Sequence, residues 1–174
     1  MPFSFTINTP RLILRPFEKT DITDSYLSWL NDPIVTQFSN QRFIKHTFMT
    51  SLAYFESFEN TSNTFLLLFH IDACIPIGTM YVARDLRHGT ADVALMLGDR
   101  RHWRLGLGLE AWQAVLNHLH SESFLRKITA GTARTNVGML RIFEKSGMSL
   151  EAVRYQQEVI DSCPTDLNFY SKFT

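Results

Sequence analysis

Hydrophobic and polar residues alternate in two different periods along the N-terminal third of the chain. Residues 11–15 alternate with a period of two, which is typical of a strand, and Pro16 ends the segment. Two amphipathic helices follow, in which apolar residues recur at helical spacing. We expect Thr20 or Asp21 to cap the first helix and Thr47 to cap the second. This part therefore predicts one strand and two helices.

The middle of the chain is richer in residues that favour strands. Residues 64–71, 76–83 and 90–98 are apolar and bounded by turn residues, which predicts three antiparallel strands. A helix is predicted over residues 107–121, where apolar side chains recur every three or four positions. The pattern thus changes from a meander of strands to a helix near residue 100.

The C-terminal part predicts a strand, a helix and two further strands. The strand covers residues 127–133, the helix residues 136–146, and the last two strands residues 149–160 and 166–173. The complete order is one strand, two helices, three strands, a helix, a strand, a helix and two strands. It predicts an α+β or mixed α/β domain, with helices packed on a central sheet of about seven strands.

Composition excludes several classes of protein. The 174 residues carry 17 Lys+Arg and 17 Asp+Glu, and this balance disfavours nucleic acid and anionic membranes as partners. Apolar runs are far shorter than the roughly 20 residues of a spanning helix. With no linker, repeat or secretory signal visible, we expect a single cytoplasmic domain over residues 1–174. Cys74 and Cys163 form no CxxC pair, so we expect free thiols and no metal.

One predicted loop concentrates positive charge. Residues 99–108 read Asp-Arg-Arg-His-Trp-Arg-Leu-Gly-Leu-Gly and join a strand to a helix. Glycines let the backbone turn tightly and approach a ligand. The first N–H groups of the helix, together with its dipole, favour a phosphate. In a neutral protein this local basic excess predicts a bound anion. The alternative is a solvated loop that uses its glycines only for turning.

Two nucleotide-binding motifs fit this loop poorly. The segment from Gly106 to Ala111 matches the dinucleotide fingerprint G-x-G-x-x-G/A, but the expected acidic residue about 20 positions on is missing. The remaining chain is also too short for the rest of a doubly wound sheet. No Gly-Lys-Ser/Thr sequence is present, which disfavours a P-loop enzyme.

The loop and its flanks resemble the GNAT superfamily of acetyl-CoA-dependent N-acetyltransferases. Residues 103–108 (Trp-Arg-Leu-Gly-Leu-Gly) are similar to the family motif Q/R-x-x-G-x-G/A, with Trp in the first position. Residues 91–99 resemble the acidic strand consensus of the branch that contains ribosomal-protein N-terminal acetyltransferases. Residues 136–148 resemble the family's N-x-x-S…y-E-K-x-G-F, and the segments 9–16 and 29–33 are also typical of it. The resemblance covers nearly the whole chain.

The resemblance implies a mostly antiparallel sheet with helices on both faces, whose fourth and fifth strands splay apart to admit acetyl-CoA. It implies that the pantetheine arm pairs with backbone around Leu97, whose N–H, or that of Gly98, polarises the thioester carbonyl. Asn136 would contact the coenzyme, although a plain helix N-cap is the alternative. The implied coenzyme-binding residues are Met96, Leu97, Gly98, Trp103, Arg104, Leu105, Gly106, Leu107, Gly108 and Asn136.

The resemblance also implies where proton transfer takes place. Asp92 has the acidic position of the strand consensus and is the candidate general base, directly or through water, unless it is an ordinary strand carboxylate. His88 is a second candidate. Phe143 stands where many relatives have Tyr, and Met139 where the family has Ser, so the general acid is left open. Solvent and four tyrosines are the candidates: Tyr26, Tyr81, Tyr155 and Tyr170.

The first two helices and their link cover the acceptor side in this family. The candidate acceptor contacts are Trp29, Asn31, Arg42 and His88. One acceptor class is the amino group of a small molecule such as a nucleotide-linked amino sugar, which Arg42, Lys45 and His46 weakly favour. The other is the N-terminus of a ribosomal or other protein. A non-catalytic acyl-CoA-binding module is the rival from another class, and self-association as a homodimer is left open.

Overall fold

A computed structural model describes residues 4–174, and its centre in this part of the chain is one eight-stranded sheet. The strands are β1 (Ile7–Asn8), β2 (Leu12–Pro16), β3 (Thr64–His70), β4 (Ile75–Asp85), β5 (Thr90–Leu97), β6 (Lys127–Ala133), β7 (Ser149–Ile160) and β8 (Cys163–Phe173). Their order is β1-β2-β3-β4-β5-β6-β8-β7, and every neighbouring pair is antiparallel except β5 and β6. The mixed α/β, mostly antiparallel fold class is confirmed, with one strand more than expected.

Four α-helices of the described chain cover the two faces of the sheet. They are α1 (Asp24–Leu30), α2 (Phe48–Glu56), α3 (Leu107–His120) and α4 (Val137–Lys145). Helices α1 and α2 pack on one face, and α3 and α4 pack on the other. Within residues 4–174, no helix combines the length and the apolar character needed to cross a bilayer.

Each face of the sheet has its own hydrophobic core. The larger core lies under α3 and α4 and contains the fully buried side chains of Trp112 and Phe143. The smaller core lies under α1 and α2 and is mostly aromatic, with Phe17, Tyr26 and Phe65 in ring contact. Each large apolar side chain buried in this way contributes about 1.5–3 kcal/mol. The sheet is therefore fixed from both sides in its central part.

The parallel pair β5 and β6 stays together over only part of its length. Residues 90–92 of β5 pair with residues 127–129 of β6, and no pairing follows. The other edge of β5 remains paired with β4 as far as Leu97. The splay expected between the fourth and fifth predicted strands is therefore present. These strands are β5 and β6 here, because the short β1 adds one strand to the count. We call the opening between residues 93–97 and 130–133 the β5–β6 gap, and its narrow end at Asp92 the apex.

Several elements differ from the sequence prediction, and three of these differences have a clear physical reason. Strand β1 has two residues, too few for a period to be seen. Helix α1 is capped by Thr23, whose side chain accepts from the Tyr26 N–H at 3.3 Å, because the predicted caps Thr20 and Asp21 lie in a preceding 3₁₀ turn. Strand β8 begins at Cys163, since the turn before it needs only the two preceding residues, both with positive φ.

Candidate active site

The start of α3 presents backbone N–H groups that have no partner. Gly106 is its N-cap at φ +79, a left-handed conformation that favours glycine, and no side chain caps this end. In the described chain the N–H groups of Leu107, Gly108 and Leu109 have no acceptor. The helix dipole adds partial positive charge at the same place. Together with the exposed side chain of Arg104, this is the geometry of an anion site.

An ion pair with the N-terminal segment holds this loop in place. Glu110, in the first turn of α3, accepts hydrogen bonds from the Thr9 hydroxyl at 2.6 Å and from the Arg11 N–H and Nε at 2.9 and 2.7 Å. Arg11 also donates to the Leu105 carbonyl at 2.9 Å. Burial opposes the charge of Glu110, but these hydrogen bonds outweigh it and hold its pKa below the usual range. Residues 9–11 (Thr-Pro-Arg) therefore connect the N-terminal segment to the loop before α3 and to the first turn of α3. The separate sequence motifs did not suggest this connection.

A Glu110→Gln variant is expected to lose about 1–3 kcal/mol of unfolding free energy, because the charged acceptor of Arg11 is removed. A depressed pKa stabilises the fold above the ordinary pKa of Glu, and this contribution disappears as pH falls through the folded-state value. The wild-type and variant melting temperatures should therefore converge in acid. Thermal melts over a pH series measure this. Glu56→Gln, on the exposed face of α2, is the matched control and should change nothing.

Most other basic residues of the loop are paired within the protein. Arg101 makes two hydrogen bonds to Asp99, at 2.9 and 2.7 Å, and these are the largest cause that lowers the pKa of Asp99. His102 Nδ1 lies 3.2 Å from the same carboxylate without a hydrogen bond. Arg100 lies 3.4 Å from Asp32. The basic excess that the sequence suggests for an anion is thus reduced to Arg104, and backbone N–H groups supply most of the site.

The edge of β5 that borders the gap carries free backbone groups. The Gly98 N–H donates to the Ile77 carbonyl of β4 at 2.9 Å. Because successive residues of an antiparallel strand alternate between its two sides, Met96 also faces β4, whereas Leu95 and Leu97 face the gap. Of the predicted residues Met96, Leu97 and Gly98, only Leu97 directs its N–H into the gap. Leu95 is a gap-facing residue that the sequence did not identify.

Trp103 and Trp29 fix the end of β5. The Trp103 indole N–H donates to the Leu97 carbonyl at 2.8 Å, so the Trp of the loop motif ties the loop to the strand. The indole of Trp29 lies against Gly98, where an added Cβ would be only 2.1 Å from the ring. Trp29 belongs to the core under α1 and α2. It supports the strand, and its contact with the acceptor stays a prediction.

Asp92 lies at the apex of the gap, on the face covered by α1 and α2. It accepts hydrogen bonds from Thr129 Oγ1 at 3.0 Å and from the Tyr81 side chain. Burial is the largest influence and raises the pKa of Asp92 above its usual range, although both hydrogen bonds lower it. Burial and the charge of Asp92 raise the pKa of Tyr81. A half-buried carboxylate with a raised pKa at a cleft is a suitable proton acceptor.

Three further candidates have other roles in the structure. His88 is exposed on the turn that precedes β5, at the closed end of the strand, so it lies outside the gap. The Asn31 side chain exchanges hydrogen bonds with the His46 backbone, both at 2.9 Å. Arg42 donates to the Val159 carbonyl at 3.2 Å and lies 3.7 Å from Glu158. Arg42 and His46 therefore brace the α1–α2 link, and their contact with an acceptor stays a prediction.

On the coenzyme side of the sheet, the Asn136 side chain caps a helix and the Phe143 side chain packs in the core. Asn136 caps α4 by accepting from the Met139 N–H at 3.2 Å, and its amide donates to Thr132 at 3.0 Å. Phe143 is buried between the rings of Trp112 and Tyr170. A coenzyme contact of Asn136 stays a prediction. In residues 4–174 no group of three or more His, Cys, Asp and Glu side chains is arranged to hold a metal.

This loop, gap and apex define the class of protein. The family model of the GNAT acetyltransferase domain matches residues 11–149, which include the whole of β5 and the α3 loop. The chain therefore belongs to the GNAT acetyltransferase family, and it is an acetyl-CoA-dependent N-acetyltransferase by class. No curated protein sequence matches it.

Solved structures of acetyltransferases share the fold. A GNAT-family acetyltransferase from Bacillus anthracis matches with a TM-score of 0.81 at 20% identity, covering 97% of this chain and 98% of the other. The ribosomal L7/L12 α-N-protein acetyltransferase RimL, in complex with coenzyme A, matches with 0.84 at 15% identity over 97% and 98%. Spermidine N-acetyltransferase from Vibrio cholerae, with coenzyme A and spermine, matches with 0.80 at 16% identity over 95% and 96%.

Proposed function

We propose that this protein transfers the acetyl group of acetyl-CoA to the primary amine of a small molecule. The observation that carries the proposal is the alignment of three features along β5. Free N–H groups begin α3 at the open end of the gap, Leu95 and Leu97 turn their N–H groups into it, and Asp92 lies at its apex. The diphosphate would bind the first feature and the pantetheine arm would lie along the second.

The same alignment suggests a role for each group in the reaction. The neutral amine attacks the thioester carbonyl carbon, the C–S bond breaks, and the thiolate leaves and takes up a proton. The amine nitrogen gives a proton to Asp92, directly or through water. The sequence assigns the polarisation of the carbonyl to Leu97, but Leu95 is the nearer gap-facing N–H to Asp92 and is the better candidate. Positioning accounts for the remaining acceleration, so no protein nucleophile is required.

The α1–α2 link favours a small acceptor. It crosses to the β7–β8 hairpin, where Gln37 donates to Asp161 at 2.8 Å and Arg42 contacts Glu158 and Val159. These contacts bound the acceptor region at the β7–β8 hairpin, which favours an acceptor short enough to lie between the hairpin and Asp92. A nucleotide-linked amino sugar stays within this class. A protein N-terminus is the second candidate, because RimL, which shares this fold, is a ribosomal L7/L12 α-N-protein acetyltransferase.

Acetyl-CoA binding and amine-dependent thiol release test the proposal separately. Calorimetry with acetyl-CoA should show one site per chain. Incubation with a panel of small primary amines, and with peptides that have free or blocked N-termini, should release thiol above the amine-free background for at least one small amine. Binding without release for every amine would instead indicate the non-catalytic module. Release with free N-terminal peptides alone would favour the protein acceptor, and a chain that does not bind acetyl-CoA would contradict the proposal.

A further inference from the structure

Half of the acceptor face of the sheet is left uncovered by helices. The core under α1 and α2 draws its sheet residues from the β2–β5 half and contains none from β6, β7 or β8 in the described chain. The side chains of Asp92 and Thr129 lie on this face, since they are hydrogen-bonded to each other. Residues two positions apart on a strand share a face, so Gly131 on β6 lies on it too. An acceptor amine at Asp92 therefore has open sheet beside it.

An aromatic ring lies over this open part. Phe169 on β8 is paired with Gly131, and a Cβ added at Gly131 would be only 3.0 Å from the Phe169 ring. The missing side chain leaves room for the Phe169 ring over β6 at Gly131. On β7 the opposite residue is Ala152, which is also small. Phe169 thus forms an apolar surface between Asp92 at the apex and the edge of the sheet.

A guanidinium group covers this ring. Arg154 Cζ lies 4.7 Å from the centroid of Phe169, within the range of a cation–π contact. The two glutamates on β7 have cationic partners: Glu151 pairs with Lys127 and Glu158 with Arg42. Arg154, between them, is exposed and has no carboxylate partner in residues 4–174. It is a positive charge without a carboxylate partner in the described chain, on the same face of the sheet as Asp92.

We infer that Arg154 and Phe169 bind an anionic group of the acceptor, which is therefore an amine that carries a carboxylate or a phosphate. The inference rests on the proposed function, because it places the amine at Asp92. Two strand spacings (about 10 Å) and an offset of two residues along the strands (about 7 Å) separate Asp92 from Phe169, so the two ends of the acceptor lie about 12 Å apart. A guanidinium that is held over a ring offers planar N–H donors to such an oxyanion. A polyamine would place a second cation beside Arg154 and would be rejected.

The test uses acceptors that differ only in the charge at the far end. ω-Aminooctanoate, octylamine and octanediamine carry a negative, neutral and positive group at about the required distance, and the aminoalkyl phosphate of the same length distinguishes phosphate from carboxylate. For the wild-type protein, kcat/KM should fall in the order anionic, neutral, cationic. In Arg154→Ala, KM for the anionic acceptors should rise about tenfold with kcat unchanged, while octylamine and the acetyl-CoA affinity are unaffected. Arg154→Glu should reverse the order.

Arg87→Ala removes the same charge from the exposed β4–β5 turn and should leave kcat/KM unchanged for all four acceptors. An equal preference in the wild-type protein and Arg154→Ala, or a wild-type preference for octanediamine, would overturn the inference. Calorimetric binding of ω-aminooctanoate to the protein with coenzyme A bound decides the matter without turnover. If no amine is acetylated, the proposed function fails, yet a tenfold weaker affinity in Arg154→Ala still supports the anion site and an equal or undetectable one contradicts it.

Discussion

A Gly108→Val variant is expected to lose about a hundredfold or more in acetyl-CoA affinity while it remains folded. A Cβ at position 108 would lie 3.1 Å from Ile142 Cδ1, 3.2 Å from Leu97 Cδ1 and 3.4 Å from Leu95 Cδ2. The γ-methyl groups of Val extend further into these side chains, which border the gap. Overpacking of this kind costs about 1–3 kcal/mol, and a hundredfold in affinity corresponds to about 2.7 kcal/mol. Calorimetry and a thermal melt measure the two effects.

Two variants separate crowding of the gap from a change in the helix. Gly108→Ala adds a single carbon against flexible side-chain ends, which can move by a few tenths of an ångström, and should retain most of the affinity. Gly138→Val makes the same change in the exposed first turn of α4, where an added Cβ meets nothing closer than 3.8 Å. It should bind acetyl-CoA normally. Undiminished affinity in Gly108→Val would contradict the position proposed for the coenzyme.

The fold is largely predictable from sequence because its elements follow strong local signals. Strand β6 begins at Lys127 and ends at Ala133 as its pattern predicts, and the Thr47 cap begins α2 as expected. The cap of α1 could not be predicted, because three polar residues compete there and tertiary contacts decide. Asp21 is taken by Arg15, at 2.7 and 2.8 Å, which leaves Thr23 to begin the helix.

The anion site is predictable in its backbone and less so in its side chains. The two glycines and the helix start define a turn with free N–H groups, and that part is local. Whether an Arg of the loop faces a ligand depends on side-chain pairing, which is local for Arg101 with Asp99 but distant in sequence for Arg100. Asp32 is 68 residues away from Arg100. The interpretation of the loop as a general basic patch therefore does not hold for Arg100 and Arg101, whose charges are paired within the protein.

The acceptor side is the least predictable part. A sequence pattern does not show that Arg42 turns to β7, since that contact joins residues more than a hundred positions apart. It also does not show that Phe169 lies over Gly131, which follows from the β6–β8 register. Such contacts arise from the order of strands in the sheet. Only once the strand register is known can one tell whether a charged side chain on this face pairs within the protein or is free to bind a ligand.

An Asp92→Asn variant is expected to lose about 10²–10⁴-fold in kcat/KM, the contribution of a positioned general base, with unchanged affinity for acetyl-CoA. The wild-type rate should fall as the solution becomes more acidic, through a pKa that burial has raised above that of an ordinary Asp. The variant should lack this fall in rate at low pH, the acid limb of the pH profile, because the amide does not titrate. A pH series of initial rates, with coenzyme affinity measured in parallel, records both results.

In the Asp92→Asn variant, stability should change in the opposite direction to activity. Because its folded-state pKa is raised, Asp92 stabilises the fold when protonated, and this contribution is lost as pH rises through that value. At neutral pH the buried carboxylate is therefore a cost, and Asp92→Asn should melt at the same temperature or higher. Asp72→Asn makes the same chemical change on the exposed β3–β4 turn and should alter neither rate nor melting temperature.

Tyr81→Phe distinguishes a base from a residue that only shapes the apex. The Tyr81 hydrogen bond lowers the pKa of Asp92, so its loss should move the acid limb to higher pH while the plateau rate stays within a few-fold. A carboxylate that only fixes the strands would leave the position of the limb unchanged in this variant. If Asp92→Asn retains the wild-type rate and limb, water alone accepts the amine proton. The raised pKa at the apex would then have no part in the reaction.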